Sequence, residues 1–125
     1  MVTPQLSPED RRARAEQVSC ADIVDALGRR HRHRAHLLDL VSPTPGRLLF
    51  GPAVTISFFP TCAAALDPAV HNFRSLFRSA VGDEPEGKVL VLASNGHQGV
   101  SVGGGTKLGR IHHYGLDGVL TDGRL

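Results

Sequence analysis

The run Lys88-Val89-Leu90-Val91-Leu92-Ala93 constrains this chain more than any other. Apolar residues alternating with polar ones would mark a strand with one wet face. An unbroken apolar run of this length marks a strand covered on both faces. Such strands belong to sheets with other layers packed on them, so the expected fold class is α/β, in layers. The turn-rich segment Gly82-Asp83-Glu84-Pro85-Glu86-Gly87 precedes the run, and Ser94-Asn95-Gly96-His97-Gln98-Gly99 follows it. Ligands in α/β proteins collect at the carboxyl ends of strands. Asn95 and His97 are therefore the first candidate site residues, although a plain surface position also accounts for each.

Helical signals interleave with further strand signals. Ser7 before Pro8-Glu9-Asp10 starts a helix running to about Gln17, because Ser caps and acids suit the first turn. Ser19 and Asp22 have capping-box spacing. Ile23, Ala26 and Leu27 form one apolar side of that second helix, and Gly28 reads as the residue that ends it. Arg47–Phe50 and Ala53–Phe59 read as short strands separated by Gly51-Pro52. Pro60 ends the second, and residues 61–68 connect onward. His71–Val81 fits a helix with Phe73, Leu76, Phe77 and Ala80 on one face. A last helix is expected over Thr106–Tyr114, closed by Gly115. A strand then begins at Val119-Leu120, and Asp122-Gly123 reads as a turn.

A chain of 125 residues reads as one domain, large enough for a core without disulfide or metal staples. A net charge of +2 gives no argument for nucleic acid or membrane partners, and 5% aromatics supply few stacking surfaces for bases. Cys20 and Cys62 form no CxxC pair, and nothing beside them suggests an activated thiolate. A reducing cytoplasm is the expected setting. Residues 1–17 carry no apolar signal segment, and no apolar run approaches the length of a membrane helix. The run Arg29–His36 holds four Arg and three His. It reads as a solvated basic face, with an RNA or acidic partner as the alternative. A metal site from His31, His33 and His36 is disfavoured by the arginines between them.

The segment Gly103-Gly104-Gly105-Thr106-Lys107-Leu108-Gly109 looks built for an anion. It is not a Walker A loop, because Lys107 follows the Thr. It is not a dinucleotide fingerprint, because Leu108 stands where the third glycine belongs. Glycines nevertheless permit unusual backbone angles and close approach. A helix start offers free N–H groups and a favourable dipole. Thr106 can cap the helix or donate its hydroxyl, and Lys107 adds charge. The same residues equally serve a bare strand-to-helix turn. His112-His113 falls in the last turn, where helix-end electrostatics explain it, with general-base work as the alternative.

The segments ADIVDALG (21–28), GPAVTI (51–56), GKVLVL (87–92), the glycine loop and GLDGVLTDG (115–123) occur in that order. Together they resemble the family of 4-hydroxy-4-methyl-2-oxoglutarate aldolases and RraA-like regulators of ribonuclease E. The resemblance runs from about residue 18, with residues 1–17 as an arm and helix ahead of the domain at 18–125. It implies a layered β/β/α fold of the swivelling type, a homotrimer with sites between subunits, and a divalent metal, typically magnesium. It also implies aldol cleavage to pyruvate and decarboxylation of oxaloacetate, with metal and Arg polarising a 2-keto acid.

Carried over by position, the family's substrate loop falls on Gly104, Gly105, Thr106 and Lys107. The acid that family enzymes keep near the loop's start is replaced by Gly105. The family's catalytic Arg and metal-ligating Asp would be the two positions after Leu125. The chain is therefore expected to stop short of that pair, and no metal ligand is expected within it. A non-catalytic RraA-like protein with a ribonuclease partner is one alternative. A different enzyme using Lys107, His97 or the His112-His113 pair is another.

Overall fold

The computed structural model describes residues 5–31, 37–59 and 64–125. Arg32, His33, Arg34, His36, Pro60 and Cys62 lie outside the described residues, as does the first part of the 61–68 connection. The chain forms two compact units, one up to Leu48 and one from Leu49 to Leu125.

The first unit holds two short helices, α1 (Pro8–Ala15) and α2 (Cys20–Gly28). Ser7 caps α1 by accepting the Asp10 N–H at 3.1 Å, and α1 stops two residues before the expected Gln17. Ser19 and Asp22 close the capping box at α2: each side chain accepts the other's backbone N–H, at 3.2 and 3.0 Å. The Ser19 hydroxyl also donates to the Asp22 carboxylate, at 2.6 Å, and this bond, followed by the one from the Ser19 N–H, holds that carboxyl below its usual pKa. Gly28 does not end α2 as a left-handed residue. It lies within the helix, and Arg29 is the C-cap with ordinary right-handed angles. Neither helix buries a side chain, and Ile23 remains exposed.

The second unit is a three-stranded parallel sheet in the order β1-β2-β3. The strands are β1 (Ala53–Ser57), β2 (Val89–Ala93) and β3 (Gly118–Thr121). The crossovers carry α3 (Phe73–Val81) and α4 (Gly105–His113). Asn72 caps α3 by accepting the Ser75 N–H at 3.0 Å, so this helix starts two residues after the expected His71. Lys88 Nζ donates to the Val81 carbonyl at 2.7 Å and so satisfies an orphan group at the helix end.

The core follows from strand alternation. Val54, Leu90 and Val119 form one cross-strand row, and Ile56 and Leu92 belong to the next. They pack with Phe77 and Val81 of α3 and Ile111 of α4. Phe77, Leu90 and Leu92 are completely buried. Phe77 also meets the Tyr114 ring edge-on at 5.3 Å. The intervening row, Thr55-Val91-Leu120, points the other way and is only partly covered. The expected second cover over β2 is thus incomplete in this unit, although the strand's position at the sheet centre is as read.

Arg47–Phe50 is not a strand. The Phe50 N–H donates to the Asp117 carboxylate at 2.8 Å rather than to a neighbouring strand. The chain then passes Gly51, where a Cβ would collide with the Gly87 carbonyl, and only afterwards joins the sheet. β1 also ends at Ser57, short of the expected Phe59, with one further bond from the Phe58 N–H to the Ala93 carbonyl at 2.9 Å.

Candidate functional site

Parallel strands deliver their carboxyl ends to one edge, and three loops meet there. After β2, Ser94 is buried and its N–H donates to Asp122 Oδ1 at 2.7 Å. Asn95 takes a left-handed conformation, φ 51°, which Asn tolerates better than most residues, and Gly96 follows at φ 86°. Asn95 Nδ2 donates to the Phe58 carbonyl at 2.9 Å, where the chain leaves β1. One loop is therefore tied to the ends of both neighbouring strands. The Ser94 N–H is the main reason that the Asp122 carboxyl is held below its usual pKa. The Ser94 hydroxyl lies near enough to add to that effect, yet it makes no hydrogen bond of proper geometry. His97 is exposed beyond this turn, with its N–H on the Ser94 carbonyl at 3.1 Å.

Residues 100–102 run alongside 122–124. The Val102 N–H donates to the Arg124 carbonyl at 2.9 Å, and the Arg124 N–H to the Val100 carbonyl at 3.1 Å. This pairing leads the chain into the glycines. Gly104 is the N-cap of α4 in an extended conformation, φ −173°, and α4 begins at Gly105 rather than at the expected Thr106. Thr106 therefore does not cap the helix, and no side chain does. The N–H groups of Gly105, Thr106 and Lys107 meet no protein acceptor among the described residues.

None of the three glycines has a positive φ, so backbone freedom does not explain them. Gly103 is a close approach: a Cβ there would lie 2.5 Å from the Leu125 side chain. At Gly104 and Gly105 a Cβ would meet nothing among the described residues, which leave the space before the helix start open.

Lys107 is placed differently from its neighbours. Its ammonium turns back to donate to the Val102 carbonyl at 2.8 Å. It also lies over the rings of Phe58 and Phe73, 4.9 Å from each centroid. Partial burial lowers its pKa. Gly104, Gly105, Thr106 and Lys107 thus share the helix start, with Asn95 and Asp122 on a loop pair at the same sheet edge. His112 and His113 lie in the last turn of α4, remote along the helix from that start.

Sequence reasoning missed two features. The Asp122-Gly123 pair signals only a turn, and the tie of Asp122 to Ser94 spans 28 positions, which no local signal reveals. The other is a cleft of about 340 Å³ between α3 and α4, lined by Arg74, Arg78, Thr106, Gly109, Arg110, His113 and Tyr114. Arg74 and Arg78 stand four apart, as do Thr106 and Arg110. Each helix thus declares a polar stripe, but their apposition is tertiary.

Among the described residues, no three His, Cys, Asp or Glu side chains gather as a cation site requires. No helix among them is long and apolar enough to cross a membrane. Residues 20–125 match the family model described as RraA-like, Aldolase/RraA. No curated protein and no solved structure matches the chain.

Proposed function

Because the chain belongs to the RraA-like family, Aldolase/RraA, we propose that it is a carbon–carbon lyase acting on a small 2-keto acid. Pyruvate would be released, as by 4-hydroxy-4-methyl-2-oxoglutarate aldolase or oxaloacetate decarboxylase. The observation that carries this reading is the open start of α4, where three backbone N–H groups lack an acceptor and the helix dipole favours an anion. The substrate carboxylate is held there by Gly105, Thr106 and Lys107 N–H groups, with the Thr106 hydroxyl beside them. The Lys107 ammonium holds the loop through Val102 rather than reaching forward.

Family resemblance adds a divalent ion, magnesium, which polarises the keto group when bound. The described residues offer no cluster that fits such an ion, so no step is derived through it. A homotrimer with sites between subunits and a cytoplasmic setting belong to the same reading. The free, exposed Cys20 suits a reducing compartment.

Two measurements test it. Oxaloacetate and the aldol substrate should yield pyruvate faster with magnesium than with chelator, and equal rates count against the lyase. Gly105→Pro removes one N–H at the first helical position, where proline is favoured and an added Cβ meets no described residue. Gly104 is already extended, as a residue before proline prefers. Losing one charge-assisted bond of about 1.5–3 kcal/mol should weaken pyruvate binding about 10- to 100-fold.

One observation favours a second reading, a non-catalytic RraA-like protein that binds a ribonuclease. Gly105 stands where the resemblance places an acid in the enzymes, and no side chain replaces it at that helix start. Pull-down of a ribonuclease, lost when Arg29, Arg30, Arg32 and Arg34 are replaced, would favour this reading.

A further inference from the structure

The cleft between α3 and α4 is not used by the proposed lyase reaction, and its chemistry is one-sided. Arg74, Arg78 and Arg110 contribute three guanidinium groups, and among the described residues no Asp or Glu lines it. None of the three guanidinium groups has a hydrogen bond or an ion pair among the described residues. Helices α3 and α4 contain no acidic residue at all. Arg74 and Arg78 are exposed, so water and salt screen their repulsion, but no carboxylate on either helix offsets the charge. Here α3 and α4 impose that arrangement by packing into one core through Phe77 and Ile111.

The cleft also has a fixed wall. The Tyr114 ring is half-buried, edge-on to Phe77 at 5.3 Å and to His113 at 5.4 Å. Its hydroxyl has no protein partner among the described residues, and the exposed Thr106 side chain supplies a second hydroxyl at the other end. A volume of about 340 Å³ lies at the small end of ligand sites, enough for a metabolite and too little for a folded partner.

We propose that this cleft binds a small phosphate-bearing molecule, a phosphomonoester or a diphosphate. Guanidinium forks match phosphate oxygens in pairs. A single carboxylate would leave most of a threefold positive charge unbalanced, whereas a phosphomonoester or diphosphate carries two or more negative charges. The hydroxyls of Thr106 and Tyr114 donate to remaining oxygens. Thr106 is the second residue of α4, so the cleft adjoins the helix start assigned to the keto acid and shares that residue with it. The two sites lie on one helix and take different anions.

The test is a titration of the full chain with inorganic pyrophosphate, phosphate, glycerol phosphate, sulfate and a single-stranded oligonucleotide at constant ionic strength. It is followed by two-dimensional NMR of the backbone amides and the arginine Nε–H groups. Pyrophosphate should bind with a Kd below about 1 mM, tenfold or more tighter than sulfate, and shift the Nε–H signals of Arg74, Arg78 and Arg110. The double variant Arg78→Gln, Arg110→Gln should weaken it at least tenfold. The core amides of Leu90 and Leu92 should stay in place in that variant, showing that the fold survives. Gly105→Pro should leave pyrophosphate binding unchanged, which separates this site from the keto-acid site. The proposal is overturned by binding no tighter than sulfate, by insensitivity to the double variant, or by shifts confined to Gly105–Lys107. It is also overturned if a single-stranded oligonucleotide binds at the arginines and pyrophosphate cannot displace it.

Discussion

Replacing Lys107 by Met tests whether this lysine is a tether or a ligand for substrate. The ammonium donates to the Val102 carbonyl at 2.8 Å and faces two rings at 4.9 Å. A hydrogen bond from a charged donor contributes about 1.5–3 kcal/mol, and each ring adds about 0.5–1 kcal/mol at a partly exposed site. Against this stands the cost of removing the charge from water, which the lowered pKa reveals. Met keeps most of the stem's volume and contacts the same rings, so cavity costs are small. It leaves the Val102 carbonyl, on a fully buried residue, without its donor. The net expectation is a loss of about 1–3 kcal/mol. Thermal unfolding should shift down by about 4 °C per kcal/mol for a chain of this size.

The pH dependence gives an independent readout. Over the alkaline window between the lowered folded pKa and the ordinary lysine value, the unfolded chain holds a proton that the folded chain has shed. Wild-type stability therefore rises with pH across that window. The Met variant lacks this rise, so the stability gap widens toward high pH. Pyruvate affinity should change less than threefold, because the backbone N–H of residue 107 remains. An unchanged melting temperature together with a tenfold loss of pyruvate affinity would refute the tether and make the ammonium a direct ligand.

Three other outcomes follow from the same structure. Gly105→Asp should be accommodated, since a Cβ there meets nothing, and an acid in the first turn should stabilise α4 by about 0.3–1 kcal/mol. A lower melting temperature at low salt would contradict this. Gly51→Ala should destabilise by about 1–3 kcal/mol, because its Cβ meets the backbone carbonyl of Gly87, which cannot swing aside as a side chain can. An unperturbed urea midpoint would show that the crossing is looser than described. Asp122→Asn should flatten the acid limb of stability. The wild-type carboxylate is held charged by the Ser94 N–H, so its contribution is present near neutrality and is lost as pH falls below about 4. Identical acid limbs for the two proteins would sink that assignment.

The legible parts of the fold were those with local signals. Lys88–Ala93 declared a central strand through an apolar run that neither a turn nor an exposed strand tolerates. Ser7, Ser19 and Asp22 declared helix starts through bonds that span three residues. Arg47–Phe50 misled because its Leu-Leu-Phe content fits a strand, while its actual partner is the carboxylate of Asp117, 67 positions away. The glycine loop was found by composition but for a partly wrong reason: its glycines serve a close packing at Gly103 and open space at Gly104 and Gly105, not unusual backbone angles. The role of Lys107 was hidden because its partners, Phe58, Phe73 and Val102, come from three separate segments. The arginine cleft was hidden for the same reason, since two unremarkable helix stripes become a site only when their helices are set side by side.

The ties among Asn95, Phe58, Ser94 and Asp122, and the pairing of 100–102 with 122–124, bear on how tightly this edge can hold anything. Immobilising a free loop at the moment of binding costs about 1–2 kcal/mol per residue in backbone entropy, and glycines lose the most. Here the approach to the glycines is already pinned by the chain's own hydrogen bonds, and Gly103 is held beneath Leu125. That ordering cost is met when the protein folds, so it is not subtracted again from the affinity of an incoming anion. Cutting one tie outright, as Asp122→Ala would by removing the acceptor of the Ser94 N–H, should therefore weaken anion binding at a residue that the anion never touches.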